Sequence, residues 1–330
     1  MNPPAIDIIV PVWNRPEETR HCLANLAEHT PNARFILLDN ASERETEILL
    51  QEFAEALGDR ALLFRNDKIE EFVALVNKGL ARSEAPVLAL VKNTTLVGKR
   101  WLEPMLELVS RRPDAGLMVP RLVAKGVGIP FGRKVSTSPP IEITHADFAA
   151  VLILKRLHDR VGGFDEGLDG ALWCLKDYSR RAWKEGFVTV SVPGAAVFHE
   201  EEIPLSSQIR REERVRESVA TYVRRWGRDL SYCLDMPADI DPDGMRQEFE
   251  TLLGSARLGH HFTVIAHAKT YGKIVRAGYD LLHENIVVER LPLFFASGAA
   301  TRLLARLRKD TSDIRMIKHA GELFFCQERS

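Results

Sequence analysis

The sequence predicts an α/β protein whose core is a mostly parallel sheet covered by helices. Three observations carry this reading: short apolar β-branched runs, amphipathic stretches between them, and a strand–loop–helix unit at the very start. Ile6 to Val10 is short, apolar and β-branched, the texture of a strand buried on both faces. Pro11 stops it, and Asn14-Arg15-Pro16-Glu17 supplies turn chemistry with a proline suited to a first helical turn. A helix over 17–29 follows, with Cys22, Leu23 and Leu26 on one face.

The alternation continues. Strands are expected at 34–39, 61–65, 85–91, 149–154 and 187–192, and helices over 43–57, 70–82, 101–111, 176–185 and 203–226. Residues 133–140 read as a loop by composition. After Met236 the texture changes: Asp241-Pro242 opens a helix with good cap chemistry, and 262–266, 285–289 and 313–317 read as strands. The expected division is a domain over 1–232 and a smaller C-terminal accessory unit over 233–330, either α/β or helical.

Lys and Arg number 45 against 46 Asp and Glu, which argues against a dedicated nucleic-acid binder. The four cysteines, Cys22, Cys174, Cys233 and Cys326, show neither metal-ligand spacing nor a disulfide framework, so a reducing cytoplasm is the expected setting. The opening residues carry no leader pattern, and no apolar run approaches the roughly 18 residues of a spanning helix. Peripheral contact with the inner face of a membrane stays open. The basic stretch 301–309 suits either an anionic surface or, more ordinarily, a helix packed by its leucines.

A set of short motifs then accumulates: Ile-Val-Pro-Val-Trp-Asn-Arg-Pro at 9–16, Leu-Leu-Asp-Asn-Ala-Ser at 37–42, Asn66, Phe72, Asn77-Lys-Gly-Leu80, Trp101-Leu-Glu-Pro104, Val161-Gly-Gly-Phe-Asp-Glu166, Lys184-Glu-Gly-Phe187 and Val192-Pro with Val197-Phe-His199. In this order and spacing, residues 6 to about 228 resemble the family 2 glycosyltransferases of the GT-A fold, a Rossmann-like nucleotide-diphospho-sugar architecture. The resemblance implies a nucleotide-sugar over the strand ends, bordered by Pro11, Trp13, Asn14, Arg15 and Glu17. Asp39, with Asn40 beside it, would accept hydrogen bonds from base or ribose; its bland role is a cap on the following helix. Asn77 would line the site, and His199 would stand near the diphosphate.

Two departures from the family pattern matter. Where such enzymes carry a metal-binding acidic motif, this chain has Val91-Lys92-Asn93-Thr94-Thr95, without a carboxylate. Mg²⁺ and Mn²⁺ favour hard anionic oxygens, so no divalent metal is expected at that position. Either Lys92 pairs with the diphosphate or it is an exposed cation in a decayed site. The second departure is on the helix after Gly-Gly-Phe-Asp-Glu, where the family's Glu-Asp-x-Asp is represented by Cys174-Leu175-Lys176-Asp177. The general base is then sought among Asp177, Asp165 and Glu166, with Asp169 in the same loop; the bland role of Asp177 is a salt bridge with Arg180 or Arg181. Trp173 and Trp183 are flat enough to cover a sugar, with core packing the more ordinary role for Trp183. His260-His261 reads as surface.

The expected activity is inverting transfer of a sugar from a UDP- or dTDP-linked donor to a hydroxyl of a surface glycan, glycolipid or glycoprotein in polysaccharide biosynthesis, without a metal. The competing expectation is an inactive GT-A domain serving as a glycan- or nucleotide-binding or assembly subunit, self-associated or beside a partner glycosyltransferase. No cofactor beyond the donor is expected.

Overall fold

A computed structural model describes residues 6–124, 138–168, 172–199, 208–292 and 313–323, together with 302, 305–307 and 309. Much of the 133–140 loop, parts of the 301–309 stretch, Asp169, Glu200 to Glu202 and Cys326 lie outside the described residues. The chain forms two compact units, 1–140 with 145–226, and 227–330 with the short insert 141–144.

In chain order the elements are β1 (Ile6–Val12), α1 (Pro16–His29), β2 (Arg34–Asp39), α2 (Arg44–Leu57), β3 (Ala61–Arg65), α3 (Phe72–Ala81), β4 (Val87–Val91), β5 (Thr95–Val97), α4 (Glu103–Arg111), β6 (Ala115–Ala124), β7 (Ile141–Glu142), β8 (Ala150–Leu154), α5 (Lys155–Val161), α6 (Trp173–Lys184), β9 (Val188–His199) and α7 (Gln208–Trp226). The second unit adds β10 (Ser231–Met236), α8 (Pro242–Arg257), β11 (His261–Ala266), α9 (Ala268–Ala277), β12 (Ile286–Arg290) and β13 (Arg315–Ile317).

In the first unit the strands run β3-β2-β1-β4-β8-β6-β9-β5. From β3 to β4 all neighbours are parallel, and beyond β4 the sheet is mixed: β8 is antiparallel to both β4 and β6, and β5 is antiparallel to β9. Every residue of β1 is buried, as its unbroken run requires. Gly79 lets α3 lie directly on this strand, since a Cβ there would stand 2.5 Å from Ile9 Cγ2 and 2.8 Å from Leu38 Cδ1.

Asp7 is the one charged residue of β1, fully buried, and four hydrogen bonds compensate it. Arg34 donates Nε at 2.8 Å and Nη2 at 2.9 Å, while the Glu84 and Ala85 amides donate at 2.7 and 3.0 Å. Burial pushes the Asp7 carboxyl up, but these hydrogen bonds and the guanidinium charge outweigh it and hold it below the usual carboxylate range.

Several elements depart from the sequence expectation. β5, β6, β7, β10 and α5 lie outside the expected set, and β9 runs on to His199 rather than stopping near Val192. Pro120 in β6 and Pro193-Gly194 in β9 interrupt the strand texture, yet the two strands pair through a register shift between Pro120 and Arg121 that absorbs the break.

The second unit is α/β, not helical. Its four strands run β12-β11-β10-β13, all parallel. Tyr232, Leu234 and Met236 point into one core with Phe249, Leu252, Phe262 and Val264, while Cys233 and Ile265 pack on the opposite face with Leu291. Both faces of a parallel sheet are thus covered. The strand Ser231–Met236 belongs wholly to this unit, so the chain changes unit at 226/227.

The insert is held by Glu142, which pairs with Arg257 at 2.6 and 2.8 Å, and by main-chain bonds to Leu282 and Glu284. His283 beside it is buried and accepts from the Asn285 amide at Nδ1, 3.0 Å, which requires the neutral ring. Burial drives its pKa down to about 4.

Two measurements check this account. Asp7→Ala strands Arg34 and two amides and costs about 3–5 kcal/mol, read as a lower denaturant midpoint by tryptophan fluorescence. His283 has a depressed folded pKa, so its contribution is complete above the unfolded value and is lost as pH falls. The second unit therefore loses up to roughly 3 kcal/mol between about pH 6.5 and 4, and an NMR titration of the imidazole checks the shift.

Candidate functional site at the strand ends

Three loops meet at the carboxyl ends of β1, β2 and β4, where ligands of such sheets sit. Asn14 joins them. Its amide donates to Ser42 Oγ at 2.9 Å, its Oδ1 accepts the Glu43 amide at 2.7 Å, and its carbonyl accepts from Thr19 Oγ1 at 3.3 Å and Asn93 Nδ2 at 3.5 Å. Asn93 also donates to Thr19 Oγ1 at 2.9 Å. Asn14 and Arg15 both adopt left-handed backbone, φ 55° and 59°, as does Ala41 at φ 56°. Non-glycine residues rarely accept this conformation, and it persists only where surroundings over-determine it, as these bonds do.

The remaining expected nucleotide-side residues divide into two groups. Pro11 is inside β1 and buried, so it shapes the strand end rather than touching ligand. Trp13 and Glu17 are exposed at the mouth. Asp39 is buried: one oxygen accepts the Ser42 amide at 2.9 Å, and the other is ion-paired to Arg65. Where the sequence reading has Asp39 accept from base or ribose, the structure has it brace its own loop. Asn40 is likewise occupied, exchanging bonds with the Glu70 backbone at 2.9 Å each and accepting from Asn66 at 3.1 Å. Arg65 lies outside the expected set; the signal for it is its position opposite Asp39 in the parallel register of β2 and β3.

Lys92 follows β4, with its ammonium 5.6 Å from the centre of the Phe72 ring. From Phe72 an aromatic chain runs through Phe148 and Phe164 to Tyr178, at centroid distances of 5.0, 5.4 and 4.5 Å. Phe164 belongs to the Gly-Gly-Phe-Asp-Glu loop, which Asn77 clamps. Asn77 accepts the Phe164 amide at 2.8 Å and donates to the Phe164 carbonyl and to Glu166 Oε1, both at 2.9 Å. Gly163 is required for this approach, since a Cβ would lie 2.5 Å from Asn77 Oδ1. Asn77 thus orders the loop.

Of the three candidate bases, the structure takes two out of play. Asp177 is fully buried, with Arg181 at 2.7 Å on one oxygen and Arg225 at 2.7 Å and Trp226 at 2.9 Å on the other. It anchors α7 to α6 and has no path to an acceptor hydroxyl; the i,i+4 pair with Arg181 is the expected bland role. Asp165 is held by Arg225 at 2.6 Å and the Gly167 amide at 2.9 Å. Burial raises its pKa, but the Arg225 hydrogen bond and the Gly167 amide outweigh that and lower it, which makes a weak base weaker. Glu166 is exposed and is bonded to the neutral Asn77 amide.

Trp173 packs on Tyr222 at 5.1 Å, between helices. Trp183 is half-buried on α6. In the second unit His260 accepts the Leu230 amide and His261 starts β11.

His199 ends β9 opposite Thr95 of β5. Its Nδ1 lies 3.1 Å from Thr95 Oγ1, whose single proton is committed to the Ala149 carbonyl at 2.9 Å. The imidazole therefore donates from Nδ1, and its acceptor position is Nε2. Thr94 and His199 share a small cleft with Arg15 and with two residues outside the expected set, His21 and Glu18 of α1. Cys22 of the same helix is buried and its thiol is pushed up to about 12, so it is not a nucleophile. Among the described residues no cluster of three His, Cys, Asp or Glu side chains has metal-holding geometry, and no helix is long and apolar enough to cross a membrane.

Asn77→Ala removes the loop clamp. Hydrogen exchange at the Phe164 amide is expected to accelerate by roughly tenfold, the equivalent of one hydrogen bond of about 1.4 kcal/mol, with little change in global stability.

Comparison with known proteins places this geometry. Residues 7–163 match the model of glycosyl transferase family 2. Glycosyltransferase AglE of Haloferax volcanii is 24% identical over 110 residues, 32% of this chain and 36% of that protein. The uncharacterized protein y4gI of Sinorhizobium fredii is 25% identical over 257 residues, 68% of this chain and 28% of that protein. The matches thus span about a third of each curated relative's own length. Among solved structures, GalNAc-T7 with UDP, GalNAc and Mn²⁺ superposes with a TM-score of 0.56 at 17% identity, over 68% of this chain and 48% of that one. The mannosyltransferase PcManGT of Pyrobaculum calidifontis, in complex with GDP-Man and Mn²⁺, gives 0.51 at 15% identity over 94% and 83%. With the strand-end loops and the Asn77-clamped Gly-Gly-Phe-Asp-Glu segment in their places, the first unit has the GT-A fold and matches the glycosyl transferase family 2 model over residues 7–163.

Proposed function

We propose that the first unit binds a nucleoside-diphosphate sugar, UDP- or dTDP-linked, and transfers the sugar with inversion to a hydroxyl of a glycan, glycolipid or glycoprotein without a divalent metal at the usual position. The observation that supports it is the stretch after β4: Lys92, Asn93 and Thr94 stand where metal-dependent relatives need carboxylates, in a loop that Asn93 ties to Asn14 and Thr19. A cation placed beside Lys92 would be repelled by about 4 kcal/mol at roughly 4 Å and an effective dielectric near 20, so an ammonium and a metal ion are alternatives there. The Lys92 ammonium would stabilise the charge that develops on the leaving diphosphate.

In this reading Glu166 accepts the proton of the acceptor hydroxyl. The hydroxyl oxygen bonds to the anomeric carbon as the bond to the β-phosphate oxygen breaks, and the electron pair leaves with the nucleoside diphosphate. Asn77 is the positioning residue that holds Glu166.

A second reading, a binding or assembly subunit without turnover, draws on the loss of Asp177 to the Arg181–Arg225–Trp226 network and on Leu175 at a position where the family carries an acid. Calorimetry with UDP- and dTDP-sugars in EDTA and in Mn²⁺ separates the two from a protein without a donor site. The expected result is equal affinity in both media, with Lys92→Ala weakening it about 10–100-fold, the worth of one charge-assisted hydrogen bond. Release of free sugar or its transfer to added glycan favours the enzyme, and its loss in Glu166→Gln at unchanged donor affinity assigns the base. Absence of donor binding at millimolar concentration ends the proposal.

A further inference from the structure

A groove with a volume of about 810 Å³ opens along α3 and takes in Asn77 and Glu166. That volume lies within the roughly 300–1,000 Å³ of a site for a whole ligand. Its floor on α3 includes Ala74, Asn77, Lys78 and Ala81, which are three or four residues apart and so share one face of the helix. Two of these four are alanines, so the floor stays low beside Glu166.

Most of the charges along the groove are already matched. Lys78 Nζ pairs with Glu70 Oε1 at 2.6 Å, and Arg214 Nη2 with Glu71 Oε1 at 2.6 Å. Arg82 donates to the Lys78 carbonyl at 2.8 Å, and its guanidinium lies 4.4 Å from the centre of the Phe64 ring. It stands five residues beyond Asn77, about 8 Å along the helix axis, too far to neutralise a group at Glu166. Glu166 itself is exposed, and its Oε1 is held by the neutral Asn77 amide. At that end of the groove its carboxylate is the charge with no cation paired to it among the described residues.

Such a lining suits a ligand rich in hydroxyls. They can donate to Glu166 and accept from the N–H groups of Lys78 and Arg82 that are not engaged above. A phosphate or uronate would instead meet Glu166 as a like charge. An acyl or prenyl chain would strip water from Glu166, Lys78 and Arg82 and offer no hydrogen bonds in return.

We propose that this groove is the acceptor subsite and takes a neutral oligosaccharide, laid along α3 with its reacting hydroxyl at Glu166. This rests on the reading of Glu166 as the base, and it narrows the acceptor to an uncharged glycan chain. The step is the one given above. The hydroxyl proton goes to Glu166, the oxygen bonds the anomeric carbon, and the electron pair of the broken bond leaves with the nucleoside diphosphate.

An array of neutral oligosaccharides of glucose, mannose, galactose and N-acetylglucosamine, with uronate- and phosphate-bearing counterparts, tests it. The array is probed with the full chain in EDTA, and calorimetry gives affinities for the glycans retained and for UDP-glucose and dTDP-glucose. The expected result is retention of neutral chains in preference to charged ones. A81W, which fills the floor away from Glu166, weakens glycan binding by at least about tenfold and leaves donor affinity unchanged. E166Q narrows the preference against uronates, an effect that a merely structural glutamate would not give. If A81W does not fold, protection of the α3 amides on glycan binding, read by hydrogen exchange in the unaltered protein, decides. Equal or tighter binding of anionic glycans, or neutral binding that neither A81W nor α3 protection registers, overturns the groove. Donor binding without any glycan binding overturns the groove and leaves the donor site standing. Glycan binding without donor binding supports the groove and ends the transfer reading.

Discussion

The junction at Asn14 is the interaction on which the first unit's strand-end architecture depends. A single side chain and its own peptide groups join the loops after β1, β2 and β4, with two consecutive residues in left-handed backbone. Such backbone costs of order 1–3 kcal/mol per residue and survives because several hydrogen bonds act on it at once. The gain is rigidity where a sheet presents a ligand: Arg15, Lys92 and Thr94 all issue from segments that Asn14 or its partner Asn93 holds.

A second constraint shapes the contact of α6 with α7. Lys176, Arg180 and Lys184 recur one helical turn apart on α6 and lie over Trp173, Tyr222 and Trp226, at 5.0, 4.9 and 4.4 Å respectively. The Arg180 and Lys184 contacts join α6 to α7, while the Lys176 contact lies within α6, and the buried Asp177 pairs with Arg225 of α7, which also reaches Asp165. A carboxylate committed to two guanidiniums cannot also take a proton from a hydroxyl. This helix serves as a structural spine, and in the proposed reading the base lies on the loop that Asn77 orders.

The same logic of exchanged charges runs through the donor side. An ammonium in place of carboxylates after β4 reverses the local sign, and in the proposed reading the stabilisation of a diphosphate then comes from side chains.

The sequence alone determined the α/β class, the first four strands with their helices, and the loops that border the site. Those elements are written in local periodicity and in residues such as Pro16 at the start of α1, which act within a few positions of themselves, although β1 runs through Pro11 to Val12 rather than stopping there. The substitution of Lys92 for an acid was equally legible, being a matter of residue identity. Tertiary structure decided the rest. β6 and the outer half of β9 carry prolines and a glycine that blur their pattern, and they form because each pairs with the other across the sheet. Asp39 and Asp177 looked like open carboxylates until Arg65, Arg181 and Arg225, two of them distant in the chain, were brought to hydrogen-bonding range. Which carboxylates stay available depends on partners that only long-range folding supplies.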